Sequence, residues 1–179
     1  MKTFRFDDIS INTDSDHLSK MVGCIRAKHP QSHLIFAISP CVFDTGGERV
    51  FPPILNVESD FRVFYKPTKV GIPGKDVLSL ADGVASHGMI HVDHRLLDAG
   101  AQELSIVLSC ALVGSPVFVP PFHKWNDATA RVCIDNQIQL VRRHDRMVHL
   151  KYHLVTEDRD YYYLHTHDFG SMEEFEKQL

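Results

Sequence analysis

Short apolar segments alternate with longer amphipathic segments along this chain of 179 residues. Residues 2–7 alternate apolar and polar side chains, which predicts a strand, and the apolar run from His33 to Ser39 predicts a second, buried strand. Between them, apolar residues at helical spacing predict a helix over 14–28, capped by Asp14. Because strand and helix recur in this order, the pattern predicts an α/β fold with parallel strands, either a sheet or a barrel.

The same signals predict the remaining elements. A long helix is expected over 95–113, ending at Gly114, and a shorter one runs from a cap at Asn126 to about Ile134. The apolar face of the long helix is expected to contain Leu96, Leu97, Leu104, Val107, Leu108, Ala111 and Leu112. Ser171 and Glu174 fit a capping box that begins the last helix. Further strands are predicted over 62–66, 83–86, 116–119, 138–141 and 161–164, and irregular segments over 40–60 and 67–80. No repeat or linker divides the chain, so one domain over 1–179 is expected.

Composition argues against several classes of protein. The formal net charge is −4 without a block of like charges, so nucleic acid is not an expected partner. No apolar run approaches the roughly 20 residues of a membrane span, and the N-terminus has no signal-peptide pattern. The cysteines form no C-x-x-C pair and match no zinc module; they are Cys24, Cys41, Cys110 and Cys133. Reduced thiols and a cytoplasmic location are therefore expected.

Polar residues follow several of the predicted strands, beginning with Asp7 and Asp8. Adjacent carboxylates repel each other unless a positive group lies between them, and a divalent metal ion is the usual solution. A solvated turn after the strand explains the pair equally well.

His87 and His91 are the second polar pair. A spacing of four places two imidazoles on one side of a helical turn, close enough to share a metal ion. The pair differs from the H-E-x-x-H motif because Gly88 occupies the glutamate position. Taken alone, it is explained by two surface histidines in a histidine-rich chain. Asp93 and His94 are lower-ranked candidates, either to orient the ligands or to replace one of them.

Two later segments end at the same pole of the predicted fold. Pro120 and Pro121 fix the backbone before Phe122, whose amide is a candidate oxyanion donor, although a rigid loop is the commoner explanation. His165 ends an aromatic strand, and Asp168 lies near enough to orient it or raise its pKa. His167 competes with His165 for the same role. Six other histidines are expected on the surface or in loops: His17, His29, His33, His144, His149 and His153.

Four segments, in this order, resemble the motifs of the polysaccharide deacetylase family, which is carbohydrate esterase family 4 with its NodB homology domain. They are Phe6-Asp7-Asp8, Ser86-His87 through His91, Val119-Pro120-Pro121-Phe122 and Leu164-His165. The resemblance spans residues 4–168. It is greatest to deacetylase-like proteins of bacterial O-antigen and surface-polysaccharide gene clusters, which carry a similar Pro-Pro-Phe-x-Lys-Trp-Asn run.

The resemblance implies a distorted parallel (β/α) barrel of the NodB type, for which this chain is slightly short. It also implies roles for six residues: Asp7 as general base, Asp8, His87 and His91 as ligands of one divalent metal ion, His165 as general acid, and the Phe122 amide as oxyanion donor. Zinc is the favoured ion, since two histidines and one aspartate fill three positions of a catalytic zinc site and leave the fourth for water.

The implied activity is metal-dependent hydrolysis of the N-acetyl group of a sugar or surface-polysaccharide precursor, with release of acetate. One residue departs from the family, because Val119 stands where the family has an arginine that steadies the base; Lys124 is a candidate replacement. Two alternatives stay open: a non-sugar C–N amidohydrolase of the same fold, and a catalytically silent sugar-binding or assembly protein. The sequence leaves open the sugar, its carrier and the oligomeric state.

Overall fold

The computed structural model describes residues 1–42, 69–143, 146–156 and 159–179. The strand expected over 62–66, most of the irregular segment 40–60, and His144 lie outside the described residues.

Seven parallel strands form one sheet that curls into a half-barrel, which confirms the distorted parallel (β/α) fold that the resemblance implies. The strands are β1 Thr3–Ile9, β2 His33–Ile38, β5 Gly83–Ser86, β6 Val117–Phe118, β7 Gln139–Leu140, β8 Met147–His149 and β9 Tyr161–His165. Their order in the sheet is β7-β6-β5-β2-β1-β9-β8, so β1 lies near the middle. A separate antiparallel pair consists of β3 Cys41–Val42 and β4 Lys69–Val70. The sequence pattern missed strand β8, and it also missed β3 and β4, which lie in the segments 40–60 and 67–80 that were expected to be irregular.

Helices connect the strands. They are α1 Ser15–Lys28, α2 Lys75–Leu78, α3 Ala99–Val113, α4 Asp127–Asp135 and α5 Met172–Gln178, with 3-10 turns at His94–Leu96, Pro121–His123 and Leu150–Tyr152. The short helix α2 lies in the segment 67–80 that was expected to be irregular. No helix in the described ranges is long and apolar enough to cross a membrane.

Local capping explains where these helices begin and end. The Asp14 carboxylate accepts hydrogen bonds from the amides of Asp16 and His17 at the start of α1. Asn126 caps α4 in a reciprocal capping box with Thr129. Gly114 ends α3 with a φ of 70°, a left-handed conformation that glycine adopts without strain. These three predicted boundaries are confirmed. The long helix was expected from residue 95, but it begins at Ala99, after the 3-10 turn His94–Leu96 and a cap at Asp98.

Strand β1 separates the apolar core from the site. Phe4 and Phe6 are fully buried on one face, in a core that includes Leu18 and Ile25 of α1. Side chains alternate across a strand, so Arg5 and Asp7 lie on the opposite face. The inner face of the half-barrel therefore carries ionisable groups.

The buried face of α3 differs from the expected one. Leu104, Leu108 and Leu112 are 63%, 45% and 45% exposed, so the prediction of a buried leucine face is wrong. Apart from Ile106, Cys110 and Val113, the buried residues of α3 are polar: Gln102, Ser105 and Ser109. Their side chains make hydrogen bonds inside the protein, including one between Ser105 Oγ and the amide of Met89. Because Met89 lies between His87 and His91, this polar face supports the histidine segment.

Candidate metal centre and active site

Polar side chains from several strand ends converge on one pocket of about 460 Å³. Parallel strands bring their carboxyl ends to the same edge of the sheet, where active sites of such folds lie. All six residues that the sequence proposes for the site line the pocket: Asp7, Asp8, His87, His91, Phe122 and His165. Its volume is in the range of small-molecule sites.

A β-bulge turns both aspartates toward the pocket. Strands β1 and β2 pair regularly as far as Phe6 and again at Ile9, with a register shift between them. Asp8, within the bulge, has a φ of 60°. In a regular strand Asp7 and Asp8 would face opposite sides of the sheet, whereas a bulge can re-aim a side chain. Residues 7 and 8 thus share the pocket although the strand continues to Ile9.

Asp8, His87 and His91 form what we call the metal cluster. Asp8 Oδ1 lies 3.1 Å from His91 Nε2 and 3.4 Å from His87 Nε2. Ligand atoms around a tetrahedral zinc ion with bonds of about 2.0–2.1 Å lie roughly 3.3–3.4 Å apart. The spacing of these three atoms therefore fits one small divalent ion.

The electrostatics of the metal cluster also fit a cation. Asp8 Oδ1 is buried and has no hydrogen-bond partner of good geometry in the described part of the chain. Burial would raise the pKa of Asp8, but the close imidazoles of His87 and His91 outweigh burial and lower it. Burial lowers the pKa of His91 to about 4, so its imidazole is neutral near pH 7. An ionised carboxylate beside a neutral imidazole is the state in which both bind a metal ion.

A backbone contact orients His87. Its Nδ1 lies 2.8 Å from the carbonyl oxygen of Val119, to which an Nδ1–H can donate, leaving Nε2 for Asp8 and a metal ion. Val119, which stands where the family has an arginine, is itself buried and contributes to the site through its carbonyl group.

The segment from His87 to His91 is an irregular loop, so the expected helical turn is wrong. The loop begins at Gly88, with a φ of 81°, where an added Cβ would lie 2.8 Å from the His94 ring. His94 itself is fully buried and bonds to Val92 O and Ser105 Oγ. It therefore braces the loop and is not a substitute ligand. Asp93 pairs with Arg95 at 2.8 Å.

Arg5 pairs with Asp7, the candidate base. Its Nε and Nη2 donate to the two carboxylate oxygens of Asp7 at 2.6 and 2.8 Å, and the Arg5 side chain is fully buried. Burial alone would raise the pKa of Asp7, but the charge and hydrogen bonds of Arg5 outweigh burial and lower it. Lys124, the candidate replacement, instead has its Nζ 3.7 Å from Asp93.

His165, Asp168 and His149 form what we call the acid cluster. His165 Nδ1 lies 3.1 Å from Asp168 Oδ2, and the same oxygen accepts from the His165 amide at 2.6 Å. His149 Nε2 lies 3.3 Å from Asp168 Oδ2. Burial would lower the pKa of His165, but the hydrogen bond to Asp168 and the charges of Asp8 and Asp168 raise it. His165 thus keeps its proton to a higher pH than an ordinary histidine.

The other predicted residues lie at the mouth of the pocket. Phe122 has a φ of 56° and its ring packs edge-on against His91, with centroids 4.4 Å apart. His167 is exposed, and its ring stacks on His165 with centroids 5.1 Å apart. His165 Nε2 points toward the metal cluster, 3.7 Å from Asp8 Oδ2.

Several residues of the site escaped the sequence analysis, among them Arg5, His149 and His123. Arg5 lies two residues before Asp7 in the same strand, and side chains two apart in a strand lie on the same face. The sequence therefore contained a signal for this contact. His149 was expected on the surface, but it ends the short strand β8 and lines the pocket, so that expectation is wrong. His123 also lines the pocket, and its ring packs edge-on against Tyr163. Neither histidine lies in a motif.

No protein-family model matches the sequence, and no curated protein matches it. Among solved structures, the fold is similar to a family 4 carbohydrate esterase from Streptomyces lividans in complex with acetate, with a TM-score of 0.57 and 12% identity over 99% of this chain and 86% of that one. A peptidoglycan deacetylase from Bacillus subtilis gives a TM-score of 0.59 at 11% identity, covering 99% of this chain and 80% of that one. At such identities the likeness establishes the fold, which is a carbohydrate-esterase family 4 deacetylase fold.

A third similar structure is described as a family 4 pseudoenzyme from Bacillus anthracis, with a TM-score of 0.56 and 11% identity over 99% of this chain and 59% of that one. A mutant of that protein, described as having restored enzymatic activity, is similar to the same degree, with a TM-score of 0.56. The fold by itself therefore does not separate an active enzyme from an inactive one. That distinction has to come from the residues of the site.

Proposed function

We propose that this chain is a metal-dependent deacetylase of carbohydrate esterase family 4. It hydrolyses the N-acetyl group of a sugar or surface-polysaccharide precursor, releasing acetate and leaving a free amine. The proposal includes one domain over residues 1–179 and one divalent ion, with zinc favoured, held by Asp8, His87 and His91.

One observation carries the proposal: a candidate base, a metal-ligand set and a candidate acid face the same pocket. Asp7 is held by Arg5, the metal cluster lies beside it, and His165 is held by Asp168. Amide hydrolysis needs all three, because water must lose a proton, the carbonyl oxygen must be stabilised and the amine must gain a proton. A pocket that only bound sugar would not require this set.

A divalent ion in this site supplies Lewis-acid chemistry, polarising a carbonyl oxygen and making water a better nucleophile near neutral pH. Asp7, kept ionised by Arg5, accepts the proton of the attacking water. The amide N–H of Phe122 donates to the oxygen on which negative charge develops. His165 donates its Nε2 proton to the departing amine, and Asp168 holds the imidazole in place for that transfer.

The setting proposed for this reaction is the cytoplasm. All four cysteines are free thiols, which fits a reducing compartment.

The test is acetate release by zinc- or cobalt-loaded protein from a panel of N-acetylated sugars, oligosaccharides and nucleotide sugars. Wild-type protein should release one acetate per amine formed, and Asp8→Ala should release none. A folded, metal-loaded wild type that binds these sugars without releasing acetate would instead be a silent binder. Acetate or ammonia release from non-sugar amides alone would favour the amidohydrolase.

A further inference from the structure

The pocket is lined by a cation that forms no ion pair with the described residues around it. Arg143 follows β7, is exposed and lines the pocket. Its guanidinium makes no ion pair or hydrogen bond within the described ranges. His123 and Arg143 both line the pocket, and the charge of Arg143 is among the causes that, after burial and the charge of Arg5, lower the pKa of His123 to about 4.

The carboxylates of the pocket are not available to neutralise Arg143. Three line the described pocket: Asp7 pairs with Arg5, Asp168 pairs with His165, and Asp8 belongs to the metal cluster, where it is the proposed ligand of the divalent ion. A divalent ion in the metal cluster would add further positive charge. The side of the pocket that Arg143 lines therefore has no carboxylate available to pair with its guanidinium.

Lys124 adds a second cation on the same side. It follows β6, the neighbour of β7, and its side chain is 50% exposed. Its ion pair with Asp93 is long, at 3.7 Å, and Asp93 is already held by Arg95 at 2.8 Å. Such an exposed pair contributes little energy, so Lys124 can turn to a ligand at small cost.

We propose that the substrate is an acidic acetamido sugar, whose carboxylate or phosphate group binds Arg143, with Lys124 as a second contact. This inference rests on the proposed deacetylase function. A guanidinium matches the geometry of carboxylate and phosphate oxygens and can bind them with two parallel hydrogen bonds. A neutral sugar would leave this side of the pocket without a charge partner. Both anions share this chemistry, so the choice between them belongs to the experiment.

The experiment measures kcat/KM for acetate release by zinc-loaded protein from three matched substrates. One is neutral, a methyl glycoside of N-acetylglucosamine; one carries a phosphate, N-acetylglucosamine 1-phosphate; one carries a carboxylate, N-acetylmuramic acid. We expect kcat/KM for at least one acidic sugar to exceed that of the neutral sugar roughly tenfold, as a charge-assisted hydrogen bond allows. The acidic sugar with the higher kcat/KM shows whether the anion is a phosphate or a carboxylate.

Arg143→Ala should lower the acidic-to-neutral ratio of kcat/KM roughly tenfold, and Arg143→Lys should restore part of it. The matched control is Arg142→Ala, because the neighbouring guanidinium lies over the Trp125 ring at 4.7 Å and outside the residues that line the pocket. It should leave the ratio unchanged. Equal kcat/KM for all three sugars, unaffected by Arg143→Ala, would overturn acidic recognition and leave the deacetylase proposal standing.

Calorimetric binding of the same sugars to zinc-loaded wild type and Arg143→Ala separates the two proposals. If no sugar releases acetate but the acidic sugar binds about tenfold more tightly and loses this advantage in Arg143→Ala, recognition is supported and hydrolysis fails. If binding shows no such preference, the acidic-substrate inference fails whether or not acetate is released.

Discussion

The metal cluster and the acid cluster contain the same kinds of side chain, two histidines and one aspartate, yet they present different chemistry. In both, the ligand atoms lie within 4.8 Å of one another. In the metal cluster, Asp8 Oδ1 is buried without a good hydrogen bond and the pKa of His91 is lowered to about 4 by burial. In the acid cluster, Asp168 accepts hydrogen bonds and the pKa of His165 is raised.

The difference teaches that the surroundings of a cluster, and not its composition, decide whether it holds a metal ion or a proton. The carboxylate of Asp168 already has the backbone amide and the imidazole of His165 as donors. A bound cation there would have to replace a hydrogen bond, whereas at Asp8 it would supply a missing partner. We therefore expect one metal ion per chain, in the first cluster.

The largest expected effect separates the clusters by metal content. Asp8→Ala removes the anionic ligand and should abolish binding of the single ion and reduce acetate release to background. Elemental analysis after zinc loading and dialysis measures the stoichiometry. Asp168→Ala is the matched control and should keep one ion per chain. Two ions in the wild type, or loss of the ion in Asp168→Ala, would contradict the assignment.

The second effect concerns proton donation. His165→Ala should retain the metal ion and lower kcat by roughly 100- to 10,000-fold, because general acid catalysis contributes factors of that size. His167→Ala removes the exposed ring stacked on His165 and should cost far less. Steady-state acetate release with parallel metal analysis measures both. A larger loss in His167→Ala would assign the acid to His167.

The third effect is on stability and concerns Asp7, the candidate general base beside the metal cluster. Arg5→Met leaves Asp7 buried without its cation and should lower the free energy of unfolding by about 3–5 kcal/mol. Urea denaturation measures the change. The control is Arg26→Met, which breaks an ion pair of similar length, 2.7 Å, with Asp82 on the surface, and should cost about 1 kcal/mol or less.

A double variant tests the cause of that loss. Arg5→Met with Asp7→Leu removes both buried charges and should recover stability relative to Arg5→Met while remaining inactive. If the double variant is less stable than the single one, the loss comes from packing and not from an unpaired carboxylate.

The smallest effect is a shift in pH dependence. Asp168→Asn removes a negative charge and a hydrogen-bond acceptor that raise the pKa of His165, so that pKa should fall. The protonated acid is then lost at lower pH, and the descending high-pH limb of kcat/KM should move toward lower pH. We expect kcat near neutrality to fall roughly tenfold, as for other residues that orient a catalytic group. An unchanged limb would mean that another group carries the proton.

Much of the fold could be predicted from the sequence because its signals are local. The start of α1, the end of α3 and the start of α4 follow from Asp14, Gly114 and Asn126, whose side chains or backbone conformations act within one turn. Strand β8 was missed because it is three residues long and follows the charged run 142–146, so no period could be read. The buried face of α3 was misjudged because polar residues such as Ser105 are buried to make hydrogen bonds.

The sequence by itself determined the order of strands and helices, and it placed Asp7, Asp8, His87, His91 and His165 at strand ends. Only the tertiary structure decided how these residues are paired. The bulge that turns Asp8 inward, the Val119 carbonyl that orients His87, and the contact of His149 with Asp168 depend on neighbouring strands. Hydrogen bonds and charges act over a few ångströms in space, whatever the separation along the chain. The roles of the site residues therefore emerge when strands that are distant in sequence lie side by side.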